Sequence, residues 1–329
     1  MKNLVSIIIP IYNVALYIEE SLLSALNQTY SNIEYIIVDD CGVDNSMSIV
    51  KILKQSHPHK DIKIIHHPQN KGQSAARNTG IVNASGDYIF FMDSDDIISC
   101  DCIEKHLDAI QKYDADFTDA NVRVIGGRKK LFNTIKSISL IKTSDIMFGC
   151  IMGDIHFTAC NKLYNKNFLI KNDILFLEGL IYEDVMWTFD IAQNARKVVV
   201  IPDFTYHYII RGESTTTNVS TKQIIKRYDS WIYVINYIIQ IAQTFPNKKL
   251  QISIYRWLSK IRFKISAILV STDVNEEIKR KYYNEINSIR IRTYSSGVYS
   301  AVCSIPYCLF KSIFGTLYKM LKFISKIKS

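Results

Sequence analysis

The sequence predicts an α/β fold, a mostly parallel sheet with flanking helices, followed by a smaller helical C-terminal region. Three observations predict it. Short β-branched or aromatic runs recur at Leu4–Pro10, Ile33–Val38, Ile62–His66 and Asp87–Met92, each the length of a buried strand. Segments with apolar residues at helical spacing separate them, which is the signature of βαβ units. From about residue 215 the strand-like runs stop and long helical stretches take over.

Taken in order, the run LVSIIIP is closed by Pro10 and reads as the first strand. Residues 14–28 place Leu16, Ile18, Leu22, Leu23 and Leu26 at helical spacing. IEYIIV is the second strand and ends on Asp39-Asp40. Residues 44–55 read as a helix, residues 62–66 as the third strand, and residues 72–84 as a helix entered through Gly-Gln-Ser. DYIFFM is the fourth strand and ends directly on Asp93-Ser94-Asp95-Asp96. Later helices are expected at Ile224–Ala242 and Leu250–Ser271. Residues 300–329 form a basic amphipathic segment, with Leu309, Ile313, Leu317, Leu321 and Ile324 interleaved with Lys311, Lys319, Lys322, Lys326 and Lys328. The expected organisation is a catalytic domain over 1–215, a helical region over 216–299, and that segment.

The 329 residues are 48% hydrophobic and 22% charged, enough for a sizeable core and unlike a disordered chain. The net charge of +9 is split unevenly. Residues 1–210 hold 20 basic and 25 acidic residues, net −5; residues 211–329 hold 20 and 6, net +14. An acidic first part with a basic last part suggests a catalytic domain joined to a segment facing something anionic. The basic tail pairs its lysines with a Leu/Ile/Phe stripe, which suits anionic lipid and speaks against nucleic acid. Seven scattered cysteines without a CxxC pair signal neither a disulfide framework nor a zinc site, and fit a reducing compartment. The first residues are too short an apolar run for a signal peptide, and no stretch of transmembrane length appears.

Polar residues collect where the strands end, the place at which open parallel sheets bind ligands. Asp93 and Asp95, one residue apart after an apolar strand, can converge on a hard divalent cation that bridges a diphosphate; the same residues fit a solvated acidic turn. Asp39-Asp40 can accept hydrogen bonds from a base N–H or a ribose hydroxyl, or cap a turn. Gly72–Gly80 opens a helix with small residues, and Arg77 there either reaches base or phosphate oxygens or serves the packing. The segment matches neither a dinucleotide-binding fingerprint nor a P-loop. Glu183-Asp184, inside an apolar run, offers a carboxylate whose pKa can rise to suit a general base, or an acidic helix start. Arg211 and Ser214 stand on a segment able to close over a diphosphate, and His207 is a candidate further metal ligand.

As an ordered set these segments resemble family 2 of the inverting glycosyltransferases, which has the GT-A fold. The matching pieces run from Val5-Ser6-Ile7-Ile8-Ile9-Pro10-Ile11-Tyr12-Asn13 through Val38-Asp39-Asp40, Gly72–Gly80, Gly86–Asp96 and Asn161-Lys162-Leu163-Tyr164 to Ile181–Trp187. The resemblance implies that Pro10 and Tyr12 flank the base, Asp40 binds uracil, and Asn70 and Arg77 contact the nucleoside. It places Asp93 and Ser94 at the donor, with Asp93 on the ribose or metal and Asp95 on the metal, Mn²⁺ or Mg²⁺. Asp184, paired with Glu183, is then the general base, and Arg211 with Ser214 closes on the diphosphate. Two departures stand out. Cys41-Gly42-Val43-Asp44 replaces the usual Gly-Ser-Thr-Asp and is expected to alter a turn but not the chemistry. No QxxRW motif of processive synthases is present, so one sugar per encounter is expected.

The expected activity is metal-dependent, inverting transfer from a nucleotide-sugar, foremost a UDP-sugar, to a glycan or lipid-linked acceptor in surface-polysaccharide assembly. The expected location is cytoplasmic, peripheral on the inner membrane face. A sugar nucleotidyltransferase is the alternative enzyme class, but Met1–Glu20 offers only Lys2 where a triphosphate loop needs glycine and basic residues. A non-catalytic membrane-binding protein is the other.

Overall fold

The computed structural model describes residues 3–126, 132–210, 220–289 and 305–315. The chain forms two compact units, Met1–Gly212 and Glu213–Ser329.

The first unit begins with β1 (Val5–Ile11), α1 (Ile18–Leu26), β2 (Ile33–Asp39), α2 (Ser46–Ser56), β3 (Asp61–His66), α3 (Gln73–Asn83) and β4 (Tyr88–Phe91). Each begins and ends within four residues of the segment its apolar pattern marks. It continues through β5 (Ile97–Ile98), α4 (Cys102–Tyr113), β6 (Phe117–Ile125), β7 (Ser139–Lys142), α5 (Ser144–Met152), β8 (Leu163–Asn165), α6 (Lys166–Lys171), α7 (Glu183–Asn194) and β9 (Lys197–Ile209).

These strands make one sheet in the order β3-β2-β1-β4-β8-β6-β9-β5, with β7 paired to β9. β1, β2, β3 and β4 are mutually parallel where they pair, β6 runs parallel to β9, and the contacts of β5, β7 and β8 are antiparallel. The order 3-2-1-4 reverses direction between β1 and β4. That is the switch point at which a crevice opens beyond the strands' carboxyl ends.

All seven residues of β1 are buried, as a strand covered on both faces requires. α3 lies so close on β1 that a Cβ at Gly80 would come 2.3 Å from Ile8 Cγ2. At the opposite end of the strands, Glu34 is fully buried and accepts from Ser6 Oγ at 2.5 Å, Ser85 N at 2.6 Å and Lys63 Nζ at 2.5 Å. The acid is thereby paired and hydrogen-bonded, as burial demands.

Under α7 lies an aromatic cluster. Trp187 stacks on Phe176 with ring centres 3.8 Å apart and meets Phe91 and Tyr164 edge-on at 5.6 and 5.7 Å. Its indole N–H donates to Tyr164 Oη at 3.1 Å, so the one polar atom of the ring is satisfied. This cluster fixes the start of α7 over the end of β4.

The second unit holds α8 (Thr221–Thr244), α9 (Lys248–Ser271) and α10 (Glu276–Ser288), then the helical turns Tyr307–Phe310 and Lys311–Gly315. Ser220, Asn247 and Asn275 cap the three long helices by accepting from first-turn N–H groups. Most of the basic amphipathic segment expected over 300–329 lies outside the described residues. Among the described residues no helix is long and apolar enough to cross a membrane.

Candidate active site

The site is assembled from four chain segments that the sheet brings to one end. β1 delivers Pro10, which is buried, and Tyr12, which is 48% exposed. β2 delivers Asp39 and Asp40. The loop after β3 carries Asn70, which is exposed. β4 delivers Asp93, Ser94, Asp95 and Asp96, of which Ser94 and Asp96 are buried.

The loops after β1 and β2 are latched together. Val43 N donates to Asn13 Oδ1 at 2.8 Å, Ala15 N to Asp44 Oδ2 at 2.8 Å, and Val14 N to Ser46 Oγ at 2.9 Å. Burial opposes ionisation of Asp44, but hydrogen bonds from Ser46 and Ala15 outweigh it and hold the carboxyl below its usual range. The departure at Cys41 is accommodated in the backbone, for Cys41 stands in the left-handed region at φ 62°.

Asp39 and Asp40 part company. Asp39 keeps a partly exposed carboxylate and meets His66 Nδ1 at 2.8 Å. Asp40 is 2% exposed: Oδ1 faces His67 Nδ1 at 2.7 Å and accepts from Lys71 N at 2.8 Å, and Oδ2 accepts from Gly72 N at 2.7 Å. Three of the roughly four acceptor positions of a carboxylate are thus taken. Asp40 chiefly holds the loop that leads into α3.

Arg77 is the junction of the site. It is 3% exposed, with one terminal nitrogen 2.9 Å from Asp93 Oδ1 and the other 2.9 Å from Glu183 Oε1. Its guanidinium lies 5.1 Å from the centre of the Phe176 ring. Gln73, one turn earlier on the same face of α3, donates to the same oxygen of Asp93 at 2.8 Å. The sequence leaves Arg77 either to a ligand or to the packing, and the resemblance implies a nucleoside contact. The structure engages both its terminal nitrogens with protein carboxylates, so the residue ties the β4 turn to the start of α7.

Asp96 was not among the expected site residues, yet it sits beneath them. It is 1% exposed and accepts from Ile209 N at 2.9 Å. Burial, then the charges of Asp93 and Asp95, push its carboxyl up to about 8. Tyr206, also unforeseen, accepts from Asp93 N at 3.1 Å. The signal for both was present: a third aspartate after the pair, and an aromatic run, Tyr206-His207-Tyr208, late in the same domain.

Glu183 and Asp184 form the first turn of α7. Tyr182 before them stands at φ 70°, an uncommon conformation for a bulky residue, and sets the direction in which the helix departs. Burial first, and the charge of Glu183 second, raise the Asp184 carboxyl to about 7, against the opposing pull of Arg77. Glu183 is committed to Arg77; Asp184 is the member of the pair poised to take a proton near neutrality.

The expected metal ligands fit a divalent cation in part. Asp93, Asp95 and Asp96 crowd three carboxyls into four residues, and the mutual repulsion that raises Asp96 is the imbalance a cation would relieve. Among the described residues no three His, Cys, Asp or Glu side chains form a ready coordination shell. One or two carboxylates completed by substrate phosphates and water is the usual arrangement for Mg²⁺. His207 pairs in the sheet with Ile97; burial, then the charge of Arg123, lower its pKa. Arg211 and Ser214 lie outside the described residues.

With this geometry in place, the comparison with known proteins decides the family. Residues 6–172 match the model of glycosyl transferase family 2. The chain belongs to that family. It is 40% identical over 141 residues to an uncharacterized glycosyltransferase of Haemophilus influenzae and spans 56% of that protein's length. It is 38% identical over 222 residues to the glycosyltransferase GlyG of Streptococcus pneumoniae, covering 65% of this chain and 73% of that one. Among solved structures, S. aureus TarS 1–349 in complex with UDP-GlcNAc superposes with a TM-score of 0.64 at 18% identity, covering 97% of this chain and 92% of that one. A mannosyltransferase from Pyrobaculum calidifontis, in complex with GDP-Man and Mn²⁺, gives 0.58 at 15% identity over 97% and 86%. These two likenesses establish the GT-A fold. Membership of a glycosyltransferase family also displaces the nucleotidyltransferase alternative.

Proposed function

We propose that this family 2 glycosyltransferase moves one sugar per encounter, with inversion, from a nucleotide-sugar to a hydroxyl of a glycan or lipid-linked acceptor in surface-polysaccharide assembly. A UDP-sugar is the proposed donor. The observation that carries the reading is the double engagement of Arg77, which brings the β4 aspartates and the Glu183-Asp184 turn to one site.

The nucleoside lies beyond β1 and β2, against Tyr12, Asn70 and the open edge of Asp39, with Pro10 and Asp40 holding the floor. Asp93 keeps Oδ2 for the donor while Arg77 and Gln73 hold Oδ1. Asp95, with Asp93, would hold Mn²⁺ or Mg²⁺, whose charge offsets that developing on the diphosphate. Asp184 accepts the proton of the acceptor hydroxyl, which attacks the anomeric carbon from the face opposite the departing diphosphate. Glu183, fixed by Arg77, keeps α7 in place and maintains the negative field that makes Asp184 a stronger base. Arg211 and Ser214 close on the diphosphate, and Ser94 shapes the turn beneath it. Residues 300–329 hold the protein peripherally at the cytoplasmic membrane face.

Nucleotide release from a panel of UDP-, GDP- and dTDP-sugars, with Mn²⁺ and with EDTA, tests the proposal. One donor should be hydrolysed in a metal-dependent way, with activity lost in Asp95→Ala. Asp184→Asn should lose transfer while retaining donor binding. Full turnover by Asp184→Asn, or equal turnover in EDTA, would remove the corresponding assignment.

A further inference from the structure

The chain between α6 and α7, residues 172–182, belongs to no strand or helix. Its path is bent by three left-handed residues, Asp173 at φ 51°, Gly179 at φ 86° and Tyr182 at φ 70°. Two of them carry side chains, so local preference does not hold this path and contacts with the rest of the unit must. Asn78 of α3, 98 positions before Phe176, makes such a contact. Its Oδ1 accepts from Phe176 N at 2.8 Å and its Nδ2 donates to Phe176 O at 2.8 Å. A side-chain amide carries the donor and the acceptor of a peptide group, so Asn78 serves Phe176 as a neighbouring strand would. The same Nδ2 lies 3.4 Å from Glu178 Oε1.

Phe176, held in this way, is 3% exposed and touches the three elements that build the site. Its ring meets Phe91 of β4 edge-on at 5.3 Å, stacks on Trp187 of α7 at 3.8 Å, and lies 5.1 Å from the Arg77 guanidinium. Trp187 stands one helical turn after Glu183 and Asp184. The ring face offsets part of the cost of burying the Arg77 cation, and a flat stack leaves α7 little freedom to turn. Neighbours in sequence, Arg77 and Asn78 thus reach α7 by two routes. Arg77 does so by its charge on Glu183, and Asn78 through Phe176 and Trp187.

We propose that Asn78 is a positioning residue for the transfer reaction: by holding the Phe176 peptide it sets the place of the Glu183-Asp184 turn relative to the β4 aspartates. The inference rests on the proposed role of Asp184 as the base. The nucleoside end of the site, at Tyr12, Asn70 and Asp39, lies on other segments. Loss of the clamp therefore acts on the rate of the bound complex and leaves donor binding intact. A displacement of about 1 Å at the reacting groups costs on the order of a hundredfold in rate.

The test joins amide hydrogen exchange with turnover in Asn78→Ala, Asn78→Asp, Phe176→Leu, and Asn78→Ala combined with Phe176→Leu. Alanine is the better helix former, so α3 is kept. Aspartate keeps the shape and the acceptor but has no donor for Phe176 O. In Asn78→Ala, residues 174–186 should exchange faster while β1 to β3 keep wild-type protection. Its kcat should fall at least about tenfold with the donor Kd within about twofold of wild type, and Asn78→Asp should fall likewise. If Asn78 acts through Phe176, the double variant should lose no more than the worse single variant. Wild-type kcat in Asn78→Asp, multiplied losses in the double variant, or a donor Kd weakened as much as kcat falls would each overturn the proposal. Faster exchange throughout the unit would overturn it too, since Asn78 would then serve only the fold. A wild type that turns over no donor, with the local exchange as expected, would support the clamp and overturn the reaction it serves.

Discussion

Arg77 and Glu183, 106 positions apart in sequence, lie 2.9 Å from each other with the arginine almost wholly buried. Asp93 completes the arrangement at the same distance from the other terminal nitrogen. A guanidinium presents two donors in a fixed fork, whereas a lysine ammonium is a single point charge and cannot span both carboxylates. Arg77→Lys should therefore leave a folded protein whose kcat falls at least tenfold. Arg77→Ala removes the charge that these two buried or half-buried acids share and should cost about 3–5 kcal/mol of stability, read from urea unfolding. Wild-type turnover in Arg77→Lys would show that the bridge does not position the reacting groups.

The carboxyl of Asp184 is raised to about 7, chiefly by burial and then by Glu183. As a base it is competent only when deprotonated. Rate should climb with pH through that value and level off above it. Glu183→Gln removes the adjacent like charge while Arg77 remains, so the rising limb should move to lower pH. A limb that stays in place in Glu183→Gln would mean that Asp184 is not the titrating base, or that Glu183 does not act on it.

How far this site was legible depends on the scale of the contact. β1 to β4 and α1 to α3 each bury a continuous or helically spaced apolar set, so local pattern alone located them. The Asp93 and Glu183-Asp184 segments were legible as acids at the ends of apolar runs. What no local pattern carries is the pairing of Arg77 with both, because it arises only when α3, packed on β1 and β2, and α7, whose Trp187 packs on Phe91 of β4, come together in the folded chain. Asp40 shows the same limit: an acid after a strand reads the same whether it faces a ligand or holds the next loop, and its contacts with Lys71 N and Gly72 N are visible only in the folded chain. β5 to β9 were not read as strands; the three-residue β8, for one, gains its place from antiparallel pairing with β4.

Behind the site, Asp119 is fully buried with Lys162 Nζ at 2.9 Å and the His156 ring at 3.2 Å. Burial would raise Asp119, but the charges of His156 and Lys162 outweigh it and hold the carboxyl well below its usual range. Burial would likewise lower His156, and Asp119 reverses that, raising it. The Asp119 contribution is present above its unfolded pKa of about 4 and is lost as pH falls through the depressed folded value. The His156 contribution is full below about 6.5 and is lost as pH rises through the raised folded value. Stability from this network should therefore peak between these limits and decline on the alkaline side. Asp184 tilts the wild type the same way, so the informative quantity is the difference from His156→Gln. That difference in urea midpoint should shrink between pH 6 and pH 8; a constant difference would rule out the linkage.

Cys41 holds a left-handed conformation at φ 62° in the turn that joins β2 to the latch with the β1 loop. For a residue with a Cβ this conformation costs roughly 1–2 kcal/mol relative to a right-handed one. Glycine adopts it freely but loses about 0.5–1 kcal/mol more conformational entropy on folding. The Cys41 side chain is exposed, and its one polar contact is a long 4.0 Å approach of Sγ to Pro68 O, so little packing is lost with it. Cys41→Gly should then stabilise the protein by roughly 0.5–1 kcal/mol. Cys41→Ala, which keeps the strain and loses the thiol, should be neutral or slightly destabilising. Because the turn itself is unchanged, donor hydrolysis by Cys41→Gly should match wild type. If Cys41→Gly and Cys41→Ala shift the melting temperature alike, the thiol and not the backbone decides the energetics of this turn.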